Sequence, residues 1–567
     1  MVSQLISRIR PKHTSAASWA LDLTVIYLVL SIRWMALVRS DPGLEATSQL
    51  PQWWWEWGNL QDWLLIGPDA GNWAANAEAW RAGVALDPHR LPVYSMLTAW
   101  FTAIFGDVVF AGHQVNHLLS ALLAVLAYGI GRLSSGRAVA IAAAFLTAWS
   151  PELVNNQLYF GVDPALQFAV LLLAITCLLA MQKGTWPWVV VAGLALSWAI
   201  ATHYLLLLFI PVSAFCVLLM KRPWALRIRF ALAFLLVGWL GFQFLARHYD
   251  TLSIRMIFSV FTEGVAGSDG RVLAEGPMAG ETATNLVVHN LPTAPRLAIQ
   301  RGLRSMKVEG VPWLLLLTLF WIGIVGWGLR NRGRGSIDWR TSLFFLAFLS
   351  PLIGLEASRA PDRYALFSRP LFFLIVARGT VSIGCLIEAS LSKSWAPWNK
   401  LPRKLFRGIL SGILAIGLIS VYKTPFGQRW ELYPPVNEGL GDRAIAAKIT
   451  ENFTRQGGIV TTSQALEFFT GRSRCPGNFC PRGSDEAVAQ CFDEILRQCT
   501  GGGNIPYVVS TSSNVGLGDQ RNQAVDAAVA ANFERIGVHR GEGLTLELYT
   551  LERRKLMALS RTLRQAP

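Results

Sequence analysis

Acidic, basic and aromatic side chains recur beside proline and glycine in a few short segments of the sequence. The segments are Pro68–Trp73 (PDAGNW), Asp87–Tyr94 (DPHRLPVY), Phe160–Pro164 (FGVDP) and Pro361–Tyr364 (PDRY). A loop carboxylate can act as a general base, and a guanidinium group can bind phosphate through two hydrogen bonds. Loop aspartates also cap helices, and arginines at a membrane face can extend to the lipid head groups. The role of the charged residues in these four segments therefore depends on the helices and loops that position them.

The composition indicates a membrane protein. Of the 567 residues, 52% are apolar and only 15% are charged, and the formal net charge is +15. Soluble chains carry about 25% charged residues, so the composition excludes a disordered chain and an ordinary soluble enzyme. In a soluble protein the basic excess would suggest a nucleic-acid partner. In a membrane protein it follows from the loops that stay in the cytoplasm.

Apolar stretches predict about eleven transmembrane helices, since a span needs roughly 17 to 25 residues. The predicted spans cover residues 19–38, 112–131, 138–150, 164–181, 186–202, 204–220, 229–246, 311–329, 341–357, 370–388 and 408–422. The stretches 138–150 and 408–422 are shorter than the usual spanning length. The expected fold is an α-helical polytopic membrane protein.

The charges of the loops predict the orientation. The short segments on one side contain 19 lysines and arginines, whereas the short loops 151–163 and 358–369 on the other contain only three arginines. This asymmetry predicts a cytoplasmic N-terminus. Three long segments then lie outside: the first outer loop 39–111, the second outer loop 247–310 and the tail. The carboxylate-bearing segments share this outer face, and the basic excess implies no nucleic acid.

A membrane body, residues 1–422, is predicted to precede a soluble extracytoplasmic domain, residues 423–567. All 23 tryptophans lie at or before Trp430, and tryptophan prefers the membrane interface. The tail has the pattern of a small α/β domain, with strands at 458–462 and 507–510 and a closing hairpin of 533–539 with 544–551.

Four of the seven cysteines cluster in the tail, at Cys475, Cys480, Cys491 and Cys499. In an exported segment this clustering favours two disulfides, with three possible pairings. A structural zinc site is the alternative, but the spacings match no common zinc module.

Two histidines, His113 and His117, are four residues apart at the outer end of the second predicted span. This spacing places both on one helix face, where they could hold a metal or make interfacial hydrogen bonds. No third ligand is evident nearby, so the sequence assigns no metal site.

The ordered set of outer segments resembles the GT-C membrane glycosyltransferases, particularly the protein O-mannosyltransferases and lipid A aminoarabinose transferases. Their pattern has an acidic D-E-x-x-Y-like motif in a long first outer loop. A basic residue before Pro-Pro-x-Tyr and a Phe-Gly follow it. An Asp-x-Pro-like element then opens the fourth span, and Arg-Tyr with a following proline precedes a late span. The layout of this chain is similar along nearly its whole length.

The resemblance implies a glycosyltransferase that moves a sugar from a polyprenyl-phosphate donor to a lipid, glycan or protein acceptor. Asp69 would be the base, in a reaction that inverts the anomeric carbon, and Asp163 would orient the acceptor or Asp69. The donor phosphate or sugar would contact five residues: Arg90, Arg363, Tyr364, His89 and Tyr94. No cofactor is certain, although a divalent metal is possible, and the expected location is a bacterial inner membrane.

The chain departs from the motifs at three positions. Ala70 replaces the second acid, Trp73 occupies the position of the motif tyrosine, and Leu91-Pro92 replaces Pro-Pro. Because of these departures, a non-catalytic scaffold is one alternative to the glycosyltransferase function. A transporter or flippase for a lipid-linked glycan is another, but the spans carry few charges of the kind such proteins use. Asp22 and Arg33 are predicted near the ends of the first span.

Overall fold

The computed structural model describes the helical body and a separate set of strands. The described residues are 16–39, 70–84, 90–150, 153–154, 160–247, 292–304, 313–329, 339–357, 362–394, 459–460, 507–512, 533–541 and 544–551. Side chains are described for most of the helical body.

The first half of the chain forms nine α-helices among these residues. They are α1 (Ala16–Arg39), α2 (Ala70–Ala82), α3 (Pro92–Phe105), α4 (Val108–Ser134), α5 (Arg137–Trp149), α6 (Asp163–Lys183), α7 (Trp186–Ile200), α8 (Phe209–Leu218) and α9 (Trp224–Ala246). A 3-10 turn, Tyr204–Leu208, precedes α8.

The second half adds shorter and broken helices. They are α10 (Ala294–Arg304), α11 (Trp313–Leu329), α12 (Arg340–Leu349), α13 (Pro351–Ala357), the 3-10 segment Asp362–Ser368 and α14 (Arg369–Ser394). The predicted span 341–357 is therefore divided at Ser350 and Pro351, because a proline cannot donate the backbone hydrogen bond that would continue the preceding helix.

Local sequence explains where several helices begin and end. Proline occupies one of the first two positions of α3, α6 and α7, where its missing N–H costs nothing. Asp107 caps α4 by accepting hydrogen bonds from the backbone N–H groups of Val109 and Phe110, at 2.9 and 2.8 Å. Gly184 ends α6 with φ of 58°, a conformation that favours glycine.

Most predicted spans coincide with helices, and α2 and α3, within the first outer loop, are helices in addition to those spans. Four of the described helical stretches are long and apolar enough to cross a membrane: Val108–Ser134, Asp163–Lys183, Trp224–Ala246 and Ala365–Gly384. Several other predicted spans correspond to shorter apolar helices, and 408–422 lies outside the described residues. The helical membrane architecture is confirmed, whereas the total of eleven spans stays a prediction.

Helix α4 is central to the packing, because it contacts α1, α3, α5 and α6. Small residues permit the close approach. A Cβ on Gly131 would lie 2.6 Å from the Cα of Ala140 in α5, and one on Gly129 would lie 2.7 Å from Ile175 in α6. Later helices pack similarly, since a Cβ on Gly379 of α14 would lie 1.9 Å from the backbone oxygen of Leu319 in α11.

Two charged residues of α1 bind the helices around it. Asp22 accepts hydrogen bonds from Tyr128, Arg132 and Arg137, with the two arginine bonds at 3.1 and 2.9 Å. Arg33 is 1% exposed. The sequence predicts it near the end of a span, but α1 continues six residues beyond it. The aliphatic composition of the surrounding segment gives no sign that this guanidinium is buried.

Four strands of the tail form one sheet of order β1-β2-β4-β3: β1 (Ile459–Val460), β2 (Tyr507–Ser512), β3 (Phe533–Gly541) and β4 (Leu544–Leu551). Strand β1 is parallel to β2, and the other pairs are antiparallel. The strands lie where the sequence pattern predicts them. The predicted helices of this domain and its four cysteines lie outside the described residues, so the α/β domain stays a prediction.

Candidate functional site

The N-terminal ends of α4 and α6 meet helices α2 and α3 in one buried apolar cluster. Each element contributes to it: Ala70 and Trp73 from α2, Tyr94 from α3, Val115 from α4, and Phe160 and Ala165 from the start of α6 and the residues before it. The cluster joins three of the segments that the sequence singled out. It therefore fixes their relative positions.

Aromatic rings form a continuous chain through this cluster. The Trp73 and Tyr94 rings meet edge to face with centroids 5.4 Å apart, and Tyr94 meets Phe160 at 5.9 Å. Phe160 in turn meets the His113 imidazole at 6.1 Å. Edge-to-face pairs each contribute about 0.5–1.5 kcal/mol beyond burial. This series of ring contacts therefore holds α2, α3, α4 and the loop before α6 together.

Arg90 lies at the edge of this cluster and is partly exposed. Its guanidinium carbon is 5.6 Å from the centroid of the Trp73 ring. The side-chain amide of Asn76 donates a hydrogen bond to the Arg90 carbonyl at 3.5 Å. Helix α2 thus contacts both the side chain and the backbone of Arg90.

The Tyr94 hydroxyl lies at the polar side of the cluster. It faces the side chains of Asn116 and Thr98 and the backbone of Gly161, and it is close enough to Asp163 for an electrostatic interaction. Burial raises the pKa of Tyr94, and the Asp163 charge raises it further. The phenol consequently stays protonated at neutral pH and can donate a hydrogen bond.

Asp163 is the first residue of α6 and is partly exposed. The segment Asp362–Ser368 packs against this helix. The structure therefore brings the last of the four sequence segments to the helix that Asp163 begins. The side chains of Arg363 and Tyr364 are outside the described residues, so their contacts stay a prediction.

Asp69 and His89 also lie outside the described residues. The neighbour of Asp69 in the chain, Ala70, is the first residue of α2 and is 1% exposed within the apolar cluster. The position that carries a second acid in the family motif is thus packed among apolar groups here.

The two histidines of α4 belong to a buried polar row rather than to the lipid interface. His113 and His117 are each 1% exposed. Next to them, Arg33 donates hydrogen bonds to Ser120 Oγ at 2.7 Å and to the Ala148 carbonyl at 3.0 Å. No group of three or more potential metal ligands occurs among the described His, Cys, Asp and Glu residues.

Sequence reasoning missed Asn76 and Asn116 as parts of this site, and it included Trp73 and Phe160 in the singled-out segments without a role in packing. Asn116 had a usable signal, because it is three residues after His113 and four before Ser120. That spacing places polar groups on one side of a helix. The contacts of Trp73 and Phe160 carried no such signal, since aromatic residues are abundant throughout the membrane body.

One protein-family model matches the chain. Residues 88–247 match the family described as dolichyl-phosphate-mannose-protein mannosyltransferase. The matched stretch includes Arg90, Tyr94 and Asp163. A search of curated proteins found no match.

Solved structures resemble the chain over a larger extent. Archaeal oligosaccharyltransferase AglB from Archaeoglobus fulgidus, in complex with an inhibitory peptide and a dolichol-phosphate, has a TM-score of 0.56 and 14% identity and covers 95% of this chain and 75% of its own. ArnT from Cupriavidus metallidurans bound to undecaprenyl phosphate has a TM-score of 0.52 and 12% identity, and the match covers 94% of this chain and 98% of ArnT. ArnT in the apo state has a TM-score of 0.53 and 14% identity, and the match covers the same shares of the two chains.

These likenesses confirm the GT-C resemblance that the sequence motifs indicated. At 12–14% identity they establish the fold. The chain therefore has the fold of the GT-C membrane glycosyltransferases, with the segments around Arg90, Tyr94 and Asp163 gathered at one end of its helices.

Proposed function

Because the chain has the GT-C fold, we propose that it is a membrane glycosyltransferase. It takes a sugar from a polyprenyl-phosphate donor and transfers it to an acceptor on the non-cytoplasmic face. The observation that carries the proposal is the convergence of Arg90 and Tyr94, from one sequence segment, with Asp163, from another, around one cluster. Two solved structures with this fold contain a polyprenyl-type lipid phosphate, dolichol-phosphate in one and undecaprenyl phosphate in the other.

The proposed reaction is a single displacement. Asp69 accepts the proton of an acceptor hydroxyl or amine while the acceptor atom attacks the anomeric carbon. The bond from that carbon to the phosphate oxygen breaks, and polyprenyl phosphate leaves with the bonding electrons. Attack from the face opposite the phosphate inverts the anomeric configuration. The phosphate is already a good leaving group, so the site needs a base and cations more than a strong acid.

Each described residue has a proposed part. The partial exposure of Arg90 and Asp163 supports theirs, whereas Tyr94 is fully buried and would reach the donor only if donor binding opens the cluster. Arg90, partly exposed at the edge of the cluster, binds the phosphate and stabilises the charge that develops on it. The protonated Tyr94 hydroxyl donates a hydrogen bond toward the phosphate or the sugar. Asp163 orients the acceptor or Asp69. The burial of Ala70 beside Tyr94 and Phe160 supports a position for Asp69 next to these groups.

Arg363, Tyr364 and His89 complete the proposed donor site. The packing of Asp362–Ser368 against α6 supports the first two, since it brings their backbone to the helix that begins with Asp163. His89 precedes Arg90 in the chain. All three would contact the phosphate or the sugar.

The proposed topology has eleven spans in a bacterial inner membrane, with a cytoplasmic N-terminus. The site and the α/β domain, residues 423–567, then lie outside the cytoplasm. The distribution of loop cations supports this orientation. In that oxidising location Cys475, Cys480, Cys491 and Cys499 would form two disulfides, which mass spectrometry of unreduced peptides can pair.

A panel of polyprenyl-phosphate sugars, tested in proteoliposomes with magnesium or with a chelator, tests the proposed activity. The expected result is release of polyprenyl phosphate with one donor and formation of a new glycosidic bond. Movement of the labelled lipid across the bilayer without bond formation would instead indicate a flippase. Neither transfer nor movement with any donor would indicate a non-catalytic scaffold.

A further inference from the structure

Helix α2 holds Arg90 at two points. Trp73 lies against its guanidinium group with 5.6 Å between the guanidinium carbon and the ring centroid. Asn76, one turn later on the same helix, donates a hydrogen bond to the Arg90 carbonyl at 3.5 Å. One helix thus contacts both the flexible side chain of Arg90, through Trp73, and its backbone, through Asn76.

The Trp73 indole is itself held in place. It is 4% exposed, and its ring meets Tyr94 edge to face with centroids 5.4 Å apart. The edge-to-face contact with the buried Tyr94 ring thereby fixes the plane of the Trp73 indole. The indole plane in turn determines where an attracted cation can lie.

A cation within about 6 Å of a ring centroid is attracted by the negative face of the ring, and tryptophan provides the strongest such face. Arginine loses considerable rotamer freedom when it binds a phosphate. A guanidinium that already rests on an indole loses less of this freedom on binding. Pre-organisation of this kind increases affinity by lowering the cost of ordering.

We propose that Trp73 is a positioning residue that orients Arg90 toward the phosphate of the polyprenyl-phosphate ligand. The proposal rests on the role of Arg90 in the proposed function. Trp73 occupies the position of the tyrosine in the D-E-x-x-Y-like motif. At this position the chain thus carries a larger π-face that contacts the basic residue of the second segment.

A double-mutant cycle on the full-length protein tests the coupling. The variants are Trp73→Leu, Trp73→Phe, Arg90→Gln and the two double variants, and the probe is undecaprenyl phosphate in lipid nanodiscs. Trp73→Leu should weaken binding roughly tenfold, as expected for a partly desolvated cation–π contact. Trp73→Phe should recover most of the loss, because it restores a ring. In the Arg90→Gln background, Trp73→Leu should cause no further loss.

Two controls accompany the cycle. Trp100→Leu removes an indole that is 55% exposed on α3 and should leave binding unchanged. Undecaprenol, which lacks the phosphate, should not distinguish wild type from Trp73→Leu. If Trp73→Leu fails to fold, Trp73→Phe alone still reports the coupling, with a smaller loss that disappears in the Arg90→Gln background.

The inference is overturned if changing Trp73 causes the same loss of binding in the wild-type and the Arg90→Gln backgrounds, or if neither Trp73 variant affects binding. Either result would leave the proposed function intact, provided that wild type binds the lipid phosphate and Arg90→Gln weakens it. Failure of the wild-type protein to bind undecaprenyl phosphate or any other polyprenyl phosphate would count against the proposed function itself.

Discussion

Gly112 lies so close to the ring of Phe160 that a Cβ on Gly112 would overlap Cε2 of that ring. Gly112 belongs to the first turns of α4, and Phe160 lies just before α6. The absent side chain thus lets the residues just before α6, including Gly161, pack on α4 next to Asp163, the first residue of α6. Through Phe160, the same contact supports Tyr94 and His113.

The first prediction concerns this contact. Gly112→Ala should displace Phe160 and destabilise the protein by about 1–3 kcal/mol, the usual cost of overpacking, and it should lower transferase activity because Tyr94 and Asp163 shift. Adding Phe160→Leu should recover part of the loss. Thermal unfolding in detergent and turnover report the two effects.

Gly354→Ala is the matched control, because a Cβ there would meet nothing within 4 Å. It should leave both measurements unchanged or raise stability slightly, since alanine favours a helix. Equal losses from the two substitutions would contradict the assigned role of Gly112.

The second prediction separates two aspartates at helix N-termini. Asp107 accepts backbone hydrogen bonds from Val109 and Phe110, so Asp107→Ala should cost about 1 kcal/mol of stability and little activity per folded molecule. Asp163→Asn should instead lower kcat by at least about tenfold, on the scale of an acid–base or orienting group, with an unchanged unfolding temperature. The reverse pattern would assign the catalytic part to Asp107.

The third prediction concerns the charged cluster at Asp22. Its carboxylate accepts hydrogen bonds from Tyr128, Arg132 and Arg137. Asp22→Asn should destabilise the protein by about 1–2 kcal/mol, less than for a fully buried pair because both arginines are partly exposed. Tyr128→Phe, which removes one bond and no charge, should cost less. The unfolding temperatures of the two variants provide the measurement, and equal values would show that the ion pairs contribute nothing.

Hydropathy was sufficient to locate most membrane helices, because a span requires a long apolar stretch whatever its neighbours are. It did not locate α2 and α3, which are too short for spans and lie in a loop. Nor could it predict the break between α12 and α13, although Pro351 was visible in the sequence. The burial of Arg33 depends on the hydroxyl of Ser120 and the carbonyl of Ala148, which are far from it in the chain.

For the candidate site, motif order predicts Arg90, Tyr94 and Asp163, because proline and glycine mark the segments that carry them. The sequence did not identify what supports them. Trp73 was recognised only as a departure from a motif, and its contact with Arg90 depends on how α2 packs on α3. In the sequence Gly112 resembles any small residue of a membrane helix, because its role depends on its contact with the distant Phe160 ring.

The fourth prediction tests the central claim, that Asp69 is the base of a polyprenyl-phosphate-dependent transfer. The measurement is release of polyprenyl phosphate by wild-type protein and by Asp69→Asn, with the donor that the panel identifies, in proteoliposomes containing equal amounts of folded protein. An amide cannot accept the acceptor proton as a carboxylate does. Asp69→Asn should fold and insert normally and release no detectable polyprenyl phosphate, and retained turnover in that variant would show that Asp69 is not the base.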